Sequence, residues 1–240
     1  MNEPLTPRTR VRQQPLNRPF RDRTVAEAEG VNPHVALHRT MSQVIPAETA
    51  EGFRGRWEEA FASPGPVTLE IGSGNGFYLS GMAAKHPEQR WLGLELRFKR
   101  VVLAARKLEA AGVDNARLVR FDAYNLARLF APGDLAGVHI NHPDPWAKDR
   151  QAHRRLISAP VLTQLAEFVR IGGELRLKTD FRPHVDALLA LAAETGWAPV
   201  ETSDDVLRDG APWANDVCTN YQRKFNEKGL PVYAVWLRRA

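Results

Sequence analysis

Residues 67–76 read Val67-Thr-Leu-Glu70-Ile71-Gly72-Ser-Gly74-Asn-Gly76. A short β-prone run passes directly into three glycines spaced by one residue, and residues 77–85 then take on helical character. Glycines at such a junction allow positive φ and close approach of a ligand to the backbone. The helix that follows offers unpaired N–H groups. A tight ligand-free connection uses the same residues, so the loop by itself does not decide function.

Outward from the loop the chain alternates. Trp91–Leu96 reads as a second buried strand, and residues 98–111 carry Val101, Val102, Ala105 and Leu108 on one helical stripe closed by Gly112. Ala116–Phe121 is strand-like, Ala123–Phe130 helical and Gly137–Asn141 strand-like. Arg154–Val169 is read as a helix stopped by Gly172-Gly173. Glu174–Lys178 and Val232–Leu237 are further strands, with a helix at about 183–195 between them. This alternation predicts an α/β fold, a mainly parallel sheet with helices on both faces.

Upstream, residues 33–62 read as mixed and partly helical, ending in the turn Ser63-Pro64-Gly65-Pro66. Residues 1–23 hold six arginines and four prolines against two acids, a composition that cannot offset chain entropy by burial. A flexible basic arm is expected there, either a solubility tail or a segment that reaches RNA. Over 240 residues, 43% hydrophobic and 25% charged content supports a sizeable core. No apolar run is long enough to span a bilayer and no secretory leader is apparent. Cys218 is the single cysteine, which excludes an internal disulfide or a cysteine-rich zinc site and suits a cytoplasmic protein. The net charge of +5 permits a polyanionic partner without requiring one.

Three acids sharpen the reading of the loop. Glu70 precedes it, Glu95 ends the second strand 19 residues after Gly76, and Asp122 ends the third. A dinucleotide fingerprint needs glycine where Phe77 stands, and a carboxylate at 70 would repel a pyrophosphate. Glu70 suits a cationic group, Glu95 the two hydroxyls of a ribose, and Asp122 the edge of an adenine. Any one of them alone could be a helix N-cap or a solvated loop acid. Together with Gly72, Gly74 and Gly76 the set resembles the cofactor site of S-adenosylmethionine-dependent methyltransferases.

The fourth strand runs into Asn141-His142-Pro143-Asp144-Pro145-Trp146, where two prolines stiffen the chain around an acid. Behind it Lys148, Arg150, Arg154 and Arg155 crowd into eight residues with a single acid, an electrostatic footprint for phosphates. These segments, with Leu177-Lys178-Thr179-Asp180 and Thr219-Asn220-Tyr221-Gln222-Arg-Lys-Phe225, resemble the signature of the bacterial tRNA (guanine-N7)-methyltransferases from about residue 67 onward. The resemblance implies a Rossmann-like fold and methyl transfer from S-adenosylmethionine to N7 of a guanine in the tRNA variable loop. It divides the chain into a basic, partly flexible extension (1–45) and one methyltransferase domain (46–240). It gives Glu70, Gly72, Gly74, Gly76, Glu95 and Asp122 to the cofactor and makes Asp144 the active-site acid. Lys148, Asp180 and Thr219 to Gln222 fall where the family holds its substrate, and residues 150–155, with Arg150, Arg154 and Arg155, where it contacts RNA. No metal or membrane is implied, and a monomer is favoured.

Two residues depart from the family pattern. His142 stands where an aromatic or apolar residue is usual, and Gln222 replaces a glutamate. A neutral amide loses the charge that would help a cationic product, so slower turnover is expected. Two alternatives stay open on sequence: a methyltransferase acting on an exocyclic amine of a base, whose motif Asp-Pro-Trp also resembles, and a non-catalytic RNA-binding protein on the same scaffold. A nicotinamide dehydrogenase is disfavoured by Phe77 and Glu70.

Overall fold

The computed structural model describes residues 32–240. The basic arm expected over 1–23 lies outside them. Eight strands form one sheet in the order β1-β4-β3-β2-β5-β6-β8-β7. They are β1 Val44–Ile45, β2 Val67–Ile71, β3 Arg90–Glu95, β4 Ala116–Arg120, β5 Leu135–Asn141, β6 Val169–Thr179, β7 Trp197–Ser203 and β8 Tyr233–Arg239. The six strands from β1 to β6 pair in parallel, and β8 and β7 complete the sheet antiparallel.

All five residues of β2 are buried, as a central strand covered on both faces requires. Side chains alternate between two cores. Leu92 and Leu94 of β3 join one, with Val119 of β4, while Trp91, Ala116 and Leu118 join the other. The helices are α1 Pro33–His38, α2 Ala47–Glu51, α3 Phe77–Lys85, α4 Phe98–Ala110, α5 Ala159–Phe168, α6 Arg182–Leu191, α7 Val206–Asp209 and α8 Asn220–Asn226. α3 and α4 cover one face with Leu79, Met82, Val101 and Leu108, whereas α5 and α6 cover the other with Leu162, Leu165 and Leu188. The stripe read on α4 is buried as expected.

Four elements differ from the sequence reading. The helix expected from Arg154 begins at Ala159, with Pro160 in its first turn where a missing N–H costs nothing; Asp149–Arg154 is a separate 3-10 turn. Gly172-Gly173 does not stop that helix but lies inside β6, where the register against β5 jumps from Leu135 opposite Val169 to Gly137 opposite Glu174. A Cβ on Gly173 would stand 2.6 Å from the Ala136 carbonyl, so the glycine serves a close strand approach. β7 is a strand absent from the sequence reading, and Pro199 sits in it. The sheet tolerates that proline at an edge, beside a register shift between Pro199 and Glu201. Finally, residues 33–45, assigned by sequence to the extension, supply α1, whose Val35 packs with Phe98, and edge strand β1, which pairs with β4.

Strand order reverses beside β2, which has β3 on one side and β5 on the other. Such a reversal opens a crevice at the carboxyl ends of the strands. The loops after β2, β3, β4 and β5 all meet there.

Candidate functional site

The crevice is a cleft of about 670 Å³. Glu70, Glu95, Asp122 and Asp144 all line it, each delivered by the end of a different strand. The glycine loop forms one wall. Gly72, Gly74 and Gly76 all have positive φ, but their surroundings separate them. A Cβ on Gly72 would meet nothing within 4 Å, and one on Gly74 only the Gly72 carbonyl at 3.8 Å. At Gly76 it would stand 2.8 Å from Cα of Ala104 on α4. Gly72 and Gly74 therefore leave room for a ligand, whereas Gly76 lets α3 start against α4 and does not line the cleft.

Glu70 is buried, and Asn141 Nδ2 donates to its Oε1 at 3.0 Å. Its Oε2 has no hydrogen-bond partner among the described residues. Desolvation, only partly opposed by that hydrogen bond and by Lys178, holds this carboxyl at about 7. A buried acid with one orphaned oxygen at the head of a ligand-sized cleft fits a cationic group such as the ammonium of an amino acid. Glu95 accepts from the backbone N–H of Gly74 at 3.1 Å and of Arg97 at 2.8 Å, tying the two loops together. Each of its oxygens retains a lone pair for a hydroxyl donor. Asp122 caps the 3-10 turn Ala123–Arg128 by accepting from the Tyr124 N–H at 3.0 Å. One cleft thus holds an acid suited to a cation, a diol acceptor and a further acid, a set of acceptors that fits S-adenosylmethionine.

Asp144 is exposed at the cleft mouth. The flanking residues His142 and Trp146 have φ of 47° and 38°, a left-handed conformation that costs free energy in residues with a Cβ. Several contacts hold that turn. Arg155 Nε donates to the Trp146 carbonyl at 3.2 Å, and the Arg154 guanidinium lies 5.0 Å from the Trp146 ring centroid. The Tyr124 hydroxyl donates to the Arg154 carbonyl. His142 stacks on Tyr221 and Phe225 and donates from Nδ1 to Asp180 at 3.0 Å, which holds the Asp180 carboxyl below its usual range.

The structure sorts the substrate residues expected from sequence. Arg154, Thr219, Asn220 and Tyr221 line the cleft. Lys148 and Arg150 are exposed on the adjoining 3-10 turn, outside it, and Arg155 braces the loop. Gln222 is not at the surface. It forms a capping box with Thr219 at the start of α8, and its Oε1 accepts from the buried Lys178 Nζ at 3.0 Å. Lys178 also donates to both oxygens of Asp216 and to the Val217 carbonyl, so it pins the 216–222 segment to β6. Sequence reasoning missed that role: Lys178 appeared only inside a motif, and its partner lies 38 residues away. It also missed the buried pair of Tyr78 and His139, whose Oη and Nδ1 are 2.8 Å apart under the loop.

A methyltransferase family model described as "Putative methyltransferase" matches residues 64–235. The tRNA (guanine-N(7)-)-methyltransferase of Streptococcus thermophilus (strain CNRZ 1066) is 30% identical over 217 residues, 88% of this chain and 96% of the relative. That of Listeria welshimeri is 36% identical over 183 residues, 76% of this chain and 85% of the relative. The chain belongs to the tRNA (guanine-N7)-methyltransferase family. The 16S rRNA methyltransferase KamB shares the fold, with a TM-score of 0.58 at 18% identity over 78% of this chain and 92% of that one. TrmN from Thermus thermophilus does so at 0.54 and 22%, over 80% of this chain and 48% of that one. The methyltransferase is thus an enzyme on a Rossmann-like scaffold. Among its described residues no helix is long and apolar enough to cross a membrane.

Proposed function

We propose that this enzyme methylates N7 of a guanine in the variable loop of tRNA, in the cytoplasm, with S-adenosylmethionine as donor. The observation that carries the reading is the convergence of Glu70, Glu95, Asp122 and Asp144 on one cleft beside an open glycine loop. Glu70 would hold the donor's ammonium through its unpartnered oxygen, Glu95 its ribose hydroxyls and Asp122 its adenine edge. Bound there, S-adenosylmethionine supplies a methyl group already activated on a sulfonium. Guanine N7 carries a lone pair and no proton, so no residue has to act as a general base. Methylation leaves the purine positively charged, and the Asp144 carboxylate at the cleft mouth stabilises that charge and orients the base. The rigid Pro143-Asp144-Pro145 turn holds the carboxylate in place before substrate arrives, so alignment lowers much of the remaining barrier.

Gln222 does not enter this chemistry as the sequence suggested. Its amide is spent on Lys178 and on capping α8, so the substrate-facing groups of that segment are Thr219, Asn220 and Tyr221. Incubation with S-adenosylmethionine and an unmodified tRNA transcript tests the reading. N7-methylguanosine in the nucleoside digest, with strand scission at that base after reduction and aniline treatment, supports it. A methyl group on an exocyclic amine would transfer the site to the alternative chemistry. Thermal stabilisation by tRNA but not by S-adenosylmethionine would point to an RNA binder.

A further inference from the structure

The basic run at 148–155 stands on the sheet face covered by α5 and α6, as Leu156 and Ile157 pack into that core. A second cluster of cations borders the same cleft from the other face. Phe77 opens α3 and is 39% exposed at the cleft edge. Lys107 of α4 holds its Nζ 3.8 Å from the Phe77 ring centroid, and the guanidinium of Arg223 on α8 lies 5.8 Å from it. One ring thus draws together cations from helices 116 residues apart in sequence. Lys224 lines the cleft beside Tyr221, and Arg97 lines it at the start of α4.

None of Arg97, Lys107, Arg223 and Lys224 forms an ion pair with a described carboxylate. α4 carries four cations against one acid, and α8 carries two and none. A solvated helix face usually mixes signs, and the buried side of α4 is wholly apolar, so the contacts of these cations are with the neutral groups Phe77, Tyr221 and Asn220, to whose Oδ1 Arg223 Nη2 donates at 2.6 Å. Unpaired cations of this density, set around an exposed aromatic ring at the mouth of a cleft, fit the phosphates of a nucleic-acid chain with an unstacked base against the ring.

We propose that Lys107 and Arg223, held at the Phe77 ring, and Lys224, whose Nζ lies 5.7 Å from the Tyr221 ring centroid, form a second phosphate-binding rim. The substrate RNA then spans the cleft between this rim and the 148–155 run. The inference rests on the tRNA reading above. It places the target nucleotide between two anchored stretches of backbone, so the guanine enters the cleft from above, with RNA held on both sides.

The test is equilibrium binding of an unmodified tRNA transcript to the full chain across a potassium chloride series. It compares wild type with Lys107→Gln/Arg223→Gln/Lys224→Gln, with Phe77→Ala and, as a reference for the opposite rim, with Arg150→Gln. All these positions are at least partly exposed, and the urea-denaturation midpoint, measured in parallel, reports an intact fold. The triple variant is expected to bind about tenfold or more weakly and to lower the slope of log K against log salt by roughly two to three, at about 0.9 per lost phosphate contact. A wild-type slope in the triple variant, with Arg150→Gln reducing it, would overturn the second rim while leaving the tRNA reading intact. Failure of the wild-type enzyme to methylate the transcript would instead remove the reading on which the rim depends.

Discussion

Glu70 shows how one side chain links stability to ligand binding. Its carboxyl is held at about 7 by burial, against an ordinary value near 4.5. The folded state therefore binds a proton that the unfolded state has released between those values, and the free protein loses stability as pH rises from about 4.5 to 7. Glu70→Gln keeps the acceptor for Asn141 and removes the buried charge. Its unfolding free energy, measured by urea denaturation without ligand, is expected to exceed that of wild type by on the order of 3 kcal/mol at pH 8 and to match it near pH 4.5. Cofactor affinity moves the opposite way. The cation needs the ionised carboxylate, so wild-type affinity for S-adenosylmethionine should fall about tenfold per unit below pH 7, and Glu70→Gln should bind weakly at every pH. A pH-independent affinity in wild type, followed by isothermal calorimetry, would remove Glu70 from the ammonium site. Gln222 was legible in type but not in place. Thr219-Asn-Tyr-Gln222 is a capping-box pattern, yet only the fold shows its amide oxygen turned inward to Lys178.

At the scale of elements, the same loop separates glycines that accommodate a ligand from one that accommodates a helix. Gly72→Ala adds a Cβ in open space and costs only its left-handed backbone, about 1–2 kcal/mol. Gly76→Ala adds that strain and a 2.8 Å approach to the α4 backbone, so it should destabilise clearly more in urea denaturation. Equal losses would contradict the packing role of Gly76. The 216–222 segment depends on a different device. Lys178 is fully buried, and burial lowers its pKa while Asp216 opposes that shift. Lys178→Met leaves Asp216 without its cation, with only the Trp213 indole N–H still donating to it, and takes the Lys178 donor from the Val217 carbonyl, a loss of roughly 3 kcal/mol. Because Tyr221 rides on that segment, KM for tRNA should rise more than kcat falls. A fall confined to kcat would assign Lys178 a part in the chemistry. β2 and α4 were readable because a continuous apolar run and a helical stripe are local signals. β7 was not, because Pro199 argues against a strand until the sheet edge is known, and Gly172-Gly173 mimics a helix stop.

Across the whole molecule, the sequence made the α/β alternation legible, and with it three acids that share one cleft, because Glu70, Glu95 and Asp122 each stand at or within two residues of a strand's carboxyl end. It could not show which substrate residues share the cleft. That grouping depends on α3, α4 and α8 meeting around Phe77, and no local pattern encodes it. The basic N-terminal residues belong to this scale as well. With six arginines in 23 residues, deletion of 1–23 is expected to weaken tRNA binding and lower its salt dependence, and unchanged binding at low salt would make the segment a bystander. On the proposed function, Asp144 and the acids Glu70, Glu95 and Asp122 form one methyl-transfer site for a tRNA guanine. The most direct measurement is transfer of label from S-adenosylmethionine to an unmodified tRNA transcript, with nucleoside analysis of the product. Asp144→Ala and a transcript lacking the variable-loop guanine serve as controls. N7-methylguanosine is expected from the wild-type pair, with its loss, by about a hundredfold or more, in both controls. Labelled N7-methylguanosine persisting with Asp144→Ala would contradict that assignment.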